Sequence, residues 1–376
     1  MTHRAAIFLL LCALAGAAAA APSGAYWVHI GTSTGKDGGG IHLLRLDTAE
    51  GTLALHGLAC ETRNPGFQAL HPSKPVMYSV EDDQTGGVVV AYALDPATGK
   101  LTEINRQSTV GAGPCHVSVT PKGDRVLAAN YSGGSVVSFP AGEDGALGKA
   151  CGFMQHMGSS INPKRQEGPH AHSIFPSPDG VFALVPDLGL DKVMIYRIDA
   201  ASGRLLPNEP AFGQTDPGAG PRHMKFSPDG KFAYVLNELA NTVAVFSWDA
   251  KAGRLDPVQT ISTLPEGYDK ESTSAEIRIH PNGRHVYTSN RGHDSIAVFD
   301  VDAATGRLTA RGQVPTSGKT PRNFALDPTG AFLLAANQAS GTVVLFRVDP
   351  ETGMPAATSE VAVVPVAVCV TFSPAP

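Results

Sequence analysis

The sequence has few charged residues and no long run of basic ones. Lysine and arginine (29) with aspartate and glutamate (34) make up 17% of the 376 residues, and the formal net charge is −5. Nucleic-acid-binding proteins use a basic patch or stripe, so its absence predicts no nucleic-acid partner. Beyond the first twenty or so residues, no apolar run is long enough to span a bilayer. We therefore expect no membrane span in the mature chain.

Cysteine is also scarce. Four of the five cysteines lie after the N-terminal segment, at Cys60, Cys115, Cys151 and Cys369. Their spacing fits no zinc knuckle, and they are too sparse for a disulfide scaffold. We expect mostly buried thiols, with one disulfide bridge between two of them as the alternative. No cofactor motif and no Asp-rich loop of the kind that binds Ca²⁺ are present, so we predict neither a cofactor nor a metal.

The first twenty residues have the pattern of a secretory signal peptide. His3 and Arg4 precede an apolar run (residues 5–14), and small residues follow it. The apolar run is too short to cross a bilayer as a helix, and the small residues suit signal peptidase. We predict a signal peptide at residues 1–20 and a mature chain, residues 21–376, that is periplasmic or secreted.

Glycine (41) and proline (29) are plentiful, and one sequence unit of four strands and tight turns recurs. Its clearest copy, residues 221–253, has the turn Pro228-Asp229-Gly230, a continuous apolar strand, the polar tip Asn237-Glu238 and a final Asp-x-x-x-Gly turn. The turn prolines of the seven copies lie 46 to 57 residues apart, at Pro72, Pro121, Pro178, Pro228, Pro281, Pro328 and Pro374. This spacing is typical of a four-stranded β-propeller blade. A two-domain α/β fold is excluded, because no helical periodicity of useful length follows residue 22.

The two ends of the chain complete each other. The last copy stops after its first strand, Val368–Ser373, whereas the mature N terminus starts with a second-strand pattern, Tyr26–Ile30. Terminal strands that share one sheet close the ring and remove its free edges. We predict an all-β fold, a single seven-bladed β-propeller closed by N- and C-terminal strands in one blade. Since its edges are buried, we expect a monomer.

Polar residues recur at the start of the first strands and at the tip after the second strands. Both positions lie at the same end of a four-stranded blade, so these residues should meet at one mouth of the central channel. The first group comprises Cys115, His116, His170, His172, Arg222, His223, Glu276, Arg322 and Asn323. The second comprises Glu81, Asp82, Asn130, Tyr131, Asp187, Asn237, Glu238, Asn290, Arg291, Asn337 and Gln338.

Seven of the segments around these residues resemble those that mark the propeller-type 6-phosphogluconolactonase family, which also includes fungal carboxy-muconate cyclases. They are Gly168–Ser173, Val185–Asp191, Gly220–His223, Asn237–Leu239, Ala275–Arg278, Ser289–Ser295 and Pro321–Phe324. The resemblance runs from about Ile30 to Ser373. It implies a metal-independent active site in which a His, an Arg, a Glu and a second Arg are catalytic. These residues carry over to His172 (or His170), Arg222, Glu238 and Arg291.

The same residue types suit lactone hydrolysis on chemical grounds. The reaction needs a base for the attacking water and stabilisation of an oxyanion. Histidine is the best base near neutral pH, a glutamate can act as base or orient the histidine, and arginines hold anions by charge-assisted bonds. We predict hydrolysis of an anionic sugar lactone, phosphorylated or not. The other residues expected to bind this substrate are His170, His116, His223, Glu276, Arg322, Asn237 and Asn290.

Other interpretations stay open for these residues. Arg222 and Arg291 could form inter-blade salt bridges, with Glu238 as a structural partner. His170 and His172 lie on one side of an extended strand and could hold a metal. The whole chain could be a non-catalytic envelope propeller that binds a ligand or protein, or a cycloisomerase acting on unsaturated dicarboxylates. The clustering of His, Glu and two Arg favours an enzyme.

Overall fold

The computed structural model describes residues 24–34, 39–83 and 86–376, whose regular structure consists of β-strands. Twenty-eight strands form seven four-stranded antiparallel sheets. The first strands of neighbouring sheets contact each other around a ring, so the sheets are the blades of a propeller. The predicted seven-bladed fold is therefore confirmed.

The strands of each blade are given from the channel outward. Blade 1 contains β28 (Ala367–Ala375), β1 (Ala25–Thr32), β2 (Gly40–Asp47) and β3 (Thr52–Glu61). Blade 2 contains β4 (Phe67–Leu70), β5 (Val76–Asp83), β6 (Gly86–Leu94) and β7 (Leu101–Ser108). Blade 3 contains β8 (Pro114–Val119), β9 (Arg125–Asn130), β10 (Ser135–Pro140) and β11 (Gly152–Gln155). Blade 4 contains β12 (Phe175–Pro176), β13 (Phe182–Asp187), β14 (Lys192–Ile198) and β15 (Leu205–Gln214).

The last three blades follow the repeat closely. Blade 5 contains β16 (Pro221–Phe226), β17 (Phe232–Asn237), β18 (Thr242–Asp249) and β19 (Arg254–Ser262). Blade 6 contains β20 (Thr273–Ile279), β21 (His285–Arg291), β22 (Ser295–Val301) and β23 (Leu308–Pro315). Blade 7 contains β24 (Pro321–Leu326), β25 (Phe332–Asn337), β26 (Thr342–Val348) and β27 (Pro355–Val363).

The hydrophobic core lies between the faces of neighbouring blades. Every residue of β17 is buried. On one face Ala233 and Val235 pack with blade 4, and on the other face Tyr234 and Leu236 pack with blade 6. Because both faces of the strand meet a neighbouring sheet, the second strands are continuous apolar runs instead of alternating ones.

The two recurrent turns form for the reasons that their sequences suggest. In blade 5 the Ser227 hydroxyl donates to the Asp229 carboxylate at 2.7 Å, and Gly230 closes the turn with φ +70°. In the later turn the Gly253 N–H donates to the Asp249 carbonyl at 2.8 Å, and the φ of Gly253 is +67°. A side chain is strained at such φ values, so glycine is required there.

Ring closure by the two termini is also confirmed. Strand β1 pairs antiparallel with β28, from Ala25 opposite Ala375 to Thr32 opposite Ala367. One apolar cluster joins this composite blade to blade 7. Strand β1 therefore lies inside its sheet, and β28 takes the innermost position beside the channel, as the first strand does in the other blades.

Blade 3 departs from the repeat. Its outer strand, β11, has only four residues, and the chain then runs through residues 156–174 before blade 4 begins. We call this segment the crossing loop. Buried carboxylates of blade 4 hold it: Asp187 pairs with His156 at 2.5 Å, and Asp191 accepts from Gln166 at 2.7 Å.

Several expectations concern single features. The predicted signal peptide, residues 1–20, lies outside the described residues. Cys60, Cys115, Cys151 and Cys369 are free thiols, and only Cys369 is fully buried, so the expected burial is incomplete. No described residue belongs to a helix that is long and apolar enough to cross a membrane.

Candidate active site

The first strands of three blades begin with an irregularity that turns one side chain toward the channel mouth. In β16 the register shifts between Pro221 and His223, so Arg222 is the extra residue. Strands β8 and β24 shift in the same way around Cys115 and Arg322. A β-bulge leaves one residue out of the ladder and redirects its side chain. The repeat therefore delivers one side chain per bulged strand to the same end of the channel.

Glu238, at the tip after β17, is the centre of the mouth. Its Oε2 lies 3.0 Å from Nε of Arg222 and 3.1 Å from Nη2 of Arg291. The same oxygen lies 3.9 Å from Nε2 of His172. Its Oε1 accepts a hydrogen bond from Nη2 of Arg165 at 2.8 Å. Residues from blades 5 and 6 and from the crossing loop thus converge on one buried carboxylate.

The charges around Glu238 fix its protonation state. Burial alone would raise the pKa of Glu238, but Arg291 and Arg222 lower it well below its ordinary value. Protonation of this carboxylate would break its ion pairs with Arg222 and Arg291, so Glu238 is held in its ionised form. Of the two functions considered for Glu238, orienting its neighbours is favoured over acting as the base.

His172 is a neutral imidazole at the same site. Burial, followed by the charges of Arg222 and His223, lowers the pKa of His172 well below its ordinary value. Its Nδ1 lies 3.9 Å from Sγ of Cys115. A neutral imidazole keeps one unprotonated nitrogen that can accept a proton. Burial raises the pKa of the Cys115 thiol to about 12, so this thiol stays protonated.

The structure separates the two histidines that the sequence left as alternatives. The ring of His170 stacks on Tyr131 with 4.6 Å between ring centres. Its Nδ1 lies 3.1 Å from the Tyr131 carbonyl, and its Nε2 lies 3.3 Å from Glu167. Only His172 lies against Glu238, so the geometry favours His172 as the candidate base.

Positive charge exceeds negative charge at the mouth. Four guanidinium groups surround the Glu238 carboxylate, those of Arg165, Arg222, Arg291 and Arg322. Arg222 is almost fully buried, whereas Arg291 and Arg322 are partly exposed. Among the described residues, the Arg322 guanidinium has no hydrogen-bond or ion-pair partner. This arrangement suits an anionic ligand.

Three residues predicted to bind substrate lie deeper in the channel than expected. His116, His223 and Glu276 are each at most 2% exposed. Nδ1 of His223 lies 3.2 Å from Glu276, and its Nε2 lies 3.2 Å from Nη1 of Arg222. The bulge explains the difference, because it turns Arg222 to the mouth and leaves His223 facing the channel interior. Because they are buried, these side chains do not contact a ligand at the mouth. His223 instead contacts Arg222, and Glu276 contacts His223.

Asn237 and Asn290 are likewise not placed to contact a substrate. Both side chains are fully buried. Asn237 donates to the hydroxyl of Thr242 at 3.0 Å, and Asn290 donates to the carbonyl of Thr263 at 3.0 Å. They tie together the ends of the strands that carry Glu238 and Arg291. Both amides therefore cap strand ends through side-chain hydrogen bonds.

Arg165 was missed by the sequence analysis. It lies in the crossing loop, which is outside the repeat, so no repeat position singles it out. Besides its contact with Glu238, its Nη2 donates to the hydroxyl of Tyr131 at 3.3 Å. These partners are distant in sequence, and only the folded loop brings them together.

The described ranges contain no group of three His, Cys, Asp or Glu side chains that could hold a metal ion. The candidate pair His170 and His172 has no third ligand there. The positive charge at the mouth is supplied by guanidinium groups.

This architecture has counterparts among known proteins. Residues 27–372 match the family model described as Lactonase, 7-bladed beta-propeller. The chain is 39% identical over 302 residues to a 6-phosphogluconolactonase of Bacillus subtilis, covering 80% of this chain and 85% of that protein. It is 35% identical over 303 residues to a 6-phosphogluconolactonase of Formosa agariphila, covering 78% and 83%. The structure of the periplasmic gluconolactonase PpgL of Pseudomonas aeruginosa matches with a TM-score of 0.88 at 33% identity, covering 94% of this chain and 100% of that one.

The buried carboxylate can be tested by Glu238→Gln, which removes its charge and keeps its shape. We expect the free energy of unfolding at pH 7 to fall by about 3 kcal/mol, because buried guanidinium groups lose their partner. The pKa of Glu238 is lower in the folded state than its unfolded value of about 4.3. Its stabilising contribution is therefore complete above about pH 4.3 and is lost as the pH falls below it.

Denaturant unfolding at pH 7 and at pH 3 measures this effect. The exposed Glu50→Gln is the control and should change stability by no more than about 0.5 kcal/mol. Equal stability of Glu238→Gln and Glu50→Gln at pH 7 would contradict the expected role of Glu238. A loss of stability in Glu238→Gln that is larger at pH 3 than at pH 7 would contradict it as well.

Proposed function

The chain belongs to the lactonase family of seven-bladed β-propellers, and we propose that it hydrolyses a sugar lactone that carries an anionic group. One observation carries the proposal: His172 lies 3.9 Å from a Glu238 carboxylate that Arg222 and Arg291 hold at 3.0 and 3.1 Å. A neutral base beside a cluster of cations suits addition of water to an ester carbonyl. The names of the relatives, 6-phosphogluconolactonase and gluconolactonase, support the substrate class.

In the proposed reaction His172 takes a proton from the attacking water. The water oxygen bonds to the lactone carbonyl carbon, and negative charge develops on the carbonyl oxygen beside Arg291. The ring C–O bond then breaks, and the ring oxygen takes the proton from His172 to become a hydroxyl group of the acid. An anionic substrate would also raise the pKa of His172, because it offsets the neighbouring arginine charge.

The arginines have different functions in this proposal. Arg222 is buried, and its side chain is bonded to Glu238 and to the Ala275 carbonyl, so it positions the site. Arg291 and Arg322 are partly exposed and face the substrate. Arg322 has no partner among the described residues, so we propose that it binds the anionic group of the substrate. No step needs a metal, because guanidinium groups stabilise the developing charge.

The reaction is tested with the mature chain from Ala21 and 6-phosphogluconolactone or unphosphorylated gluconolactone. We expect hydrolysis above the spontaneous rate, unchanged by a chelator. His172→Gln should lower kcat by about 10²-fold or more, because it removes the base. The exposed His56→Gln is the matched control and should keep the wild-type rate.

A wild-type rate equal to the blank on both lactones would exclude a gluconolactonase. The interpretations as a non-catalytic binding propeller and as a cycloisomerase would then be favoured. Loss of activity on adding the chelator would overturn metal independence alone.

Arg322→Ala tests which group of the substrate this arginine binds. We expect KM for the phosphorylated lactone to rise about tenfold or more, because a charge-assisted hydrogen bond is lost, while kcat changes little. The KM for unphosphorylated gluconolactone should change less. Steady-state kinetics on both lactones measures this, with the exposed Arg307→Ala as control. Equal losses on both lactones would show that Arg322 does not recognise the phosphate.

We propose in addition that the chain is exported before it acts. The support is the N-terminal sequence, together with a relative of known structure that is described as periplasmic. Expression with the natural N terminus in a Gram-negative host, followed by fractionation and intact-mass measurement, tests this. A periplasmic chain that begins near Ala21 is expected, and a full-length chain confined to the cytoplasm would contradict export.

A further inference from the structure

The channel opens at its other end into a second cavity, of about 690 Å³. We call it the rear pocket. Its walls are the final residues of the innermost strands, and its rim includes the turn prolines Pro121, Pro178, Pro281 and Pro328. In β16, Arg222 lies at the mouth, whereas Lys225 and Phe226 line the rear pocket. The two sites therefore lie at opposite ends of the same strand.

Two cationic side chains from neighbouring blades line the rear pocket, Lys225 of β16 and Arg278 of β20. Nε of Arg278 donates to the Phe324 carbonyl at 3.1 Å, and Nη2 of Arg278 is 3.5 Å from Glu276. Nζ of Lys225 lies 4.6 Å from the ring centre of Phe175. Within the described part of the chain, this ammonium group has no hydrogen bond and no carboxylate partner.

Nearby carboxylates compensate these cations only in part, because Glu276 pairs with Arg278 and no carboxylate pairs with Lys225 among the described residues. Asp327 is the one acidic residue among the described residues that line the pocket. Its oxygens accept from Thr329 and from the Phe332 N–H within its own turn. Glu276 lies one layer deeper and accepts from Asn323 at 2.5 Å. Of the two cations that line the described part of the pocket, Lys225 is thus the one without a carboxylate partner.

The protonation of Lys225 depends first on its burial and then on the charges around it. Burial and then the charge of Arg278 lower the pKa of Lys225 to about 7, and Glu276 and Cys369 oppose this shift. Two imidazoles, His116 and His223, also lie within the field of Lys225. An anion between Lys225 and Arg278 would relieve their repulsion and stabilise the ammonium form.

Apolar side chains form most of the remaining wall. Four of them are phenylalanines, Phe67, Phe175, Phe226 and Phe372, and aliphatic side chains and proline rings surround them. A sugar would leave hydroxyl groups unpaired against such a wall, whereas an apolar body would gain from burial. The chemistry of this pocket thus differs from that of the mouth, which is built from arginines.

We propose that the rear pocket binds a small organic carboxylate with an apolar body. Its carboxylate lies between Lys225 and Arg278, and its body packs against Phe175, Phe226 and Phe372. Cavities with apolar walls and a few placed charges are the usual form of small-molecule sites. This site is independent of lactone hydrolysis, because the proposed catalytic residues do not line it.

Titration calorimetry with benzoate tests the proposal on the mature chain. A ligand of this size is expected to bind with a dissociation constant on the order of 1 mM. Benzyl alcohol lacks the charge and gluconate lacks the apolar body, so each should bind about tenfold more weakly or worse. Lys225→Met and Arg278→Met should each weaken benzoate binding by about tenfold or more, because each removes a charge-assisted contact. The exposed Lys231→Met should leave binding unchanged.

The mouth variant Arg322→Ala separates the two ends of the channel. Benzoate binding that is lost in Arg322→Ala and kept in Lys225→Met would place the anion at the mouth and overturn the proposal. No saturable benzoate binding, or gluconate binding as tight as benzoate, would overturn it as well.

A thermal shift distinguishes lost binding from lost folding. Without ligand, Lys225→Met should melt at or above the wild-type temperature, because it removes a desolvated charge. Benzoate should raise the Tm of the wild type and not that of the variant. Lys225→Gln replaces Lys225→Met if the latter does not fold, with the same expected loss of binding. A benzoate-dependent rise in Tm that persists in the folded variant would contradict the site.

Discussion

The pairing of β1 with β28 is the constraint on which the rest of the structure depends. Seven sheets have to close into a ring, and the last position is completed by strands from opposite ends of the chain. Once the ring is closed, every innermost strand has the same direction and its start lies at the same end of the channel. Residues that begin these strands are then neighbours even when they are far apart in sequence. The mouth is a consequence of this geometry.

The mouth also depends on one buried carboxylate. Arg222, Arg291 and Arg165 would repel one another around an empty centre, and Glu238 offsets that repulsion. The same charges hold Glu238 in its ionised form, because its protonation would break these ion pairs, and this leaves His172 as the candidate base. At the rear pocket the balance is different, because Lys225 has no comparable carboxylate. The two ends of one channel are thus suited to different ligands.

Most of the fold could be predicted from the sequence, because a propeller is built from local signals that repeat. The turns at Pro228 and Asp249 and the apolar second strands are each readable within a few residues. The site was harder. The sequence located Glu238, Arg222 and Arg291 at one mouth, but it placed His116, His223 and Glu276 there as well. It could not detect the bulge that turns Arg222 outward and leaves His223 inside.

By itself, the sequence determined the number of blades, the closure by the termini and the end of the channel at which the polar residues gather. These features follow from repeat spacing and from the alternation of strand directions within a blade. Only the tertiary structure placed His172 rather than His170 against Glu238, added Arg165 and revealed the rear pocket with Lys225 and Arg278. Each of these depends on contacts between different blades or with the crossing loop. Such contacts are set by packing across the ring, which leaves no pattern in the local sequence.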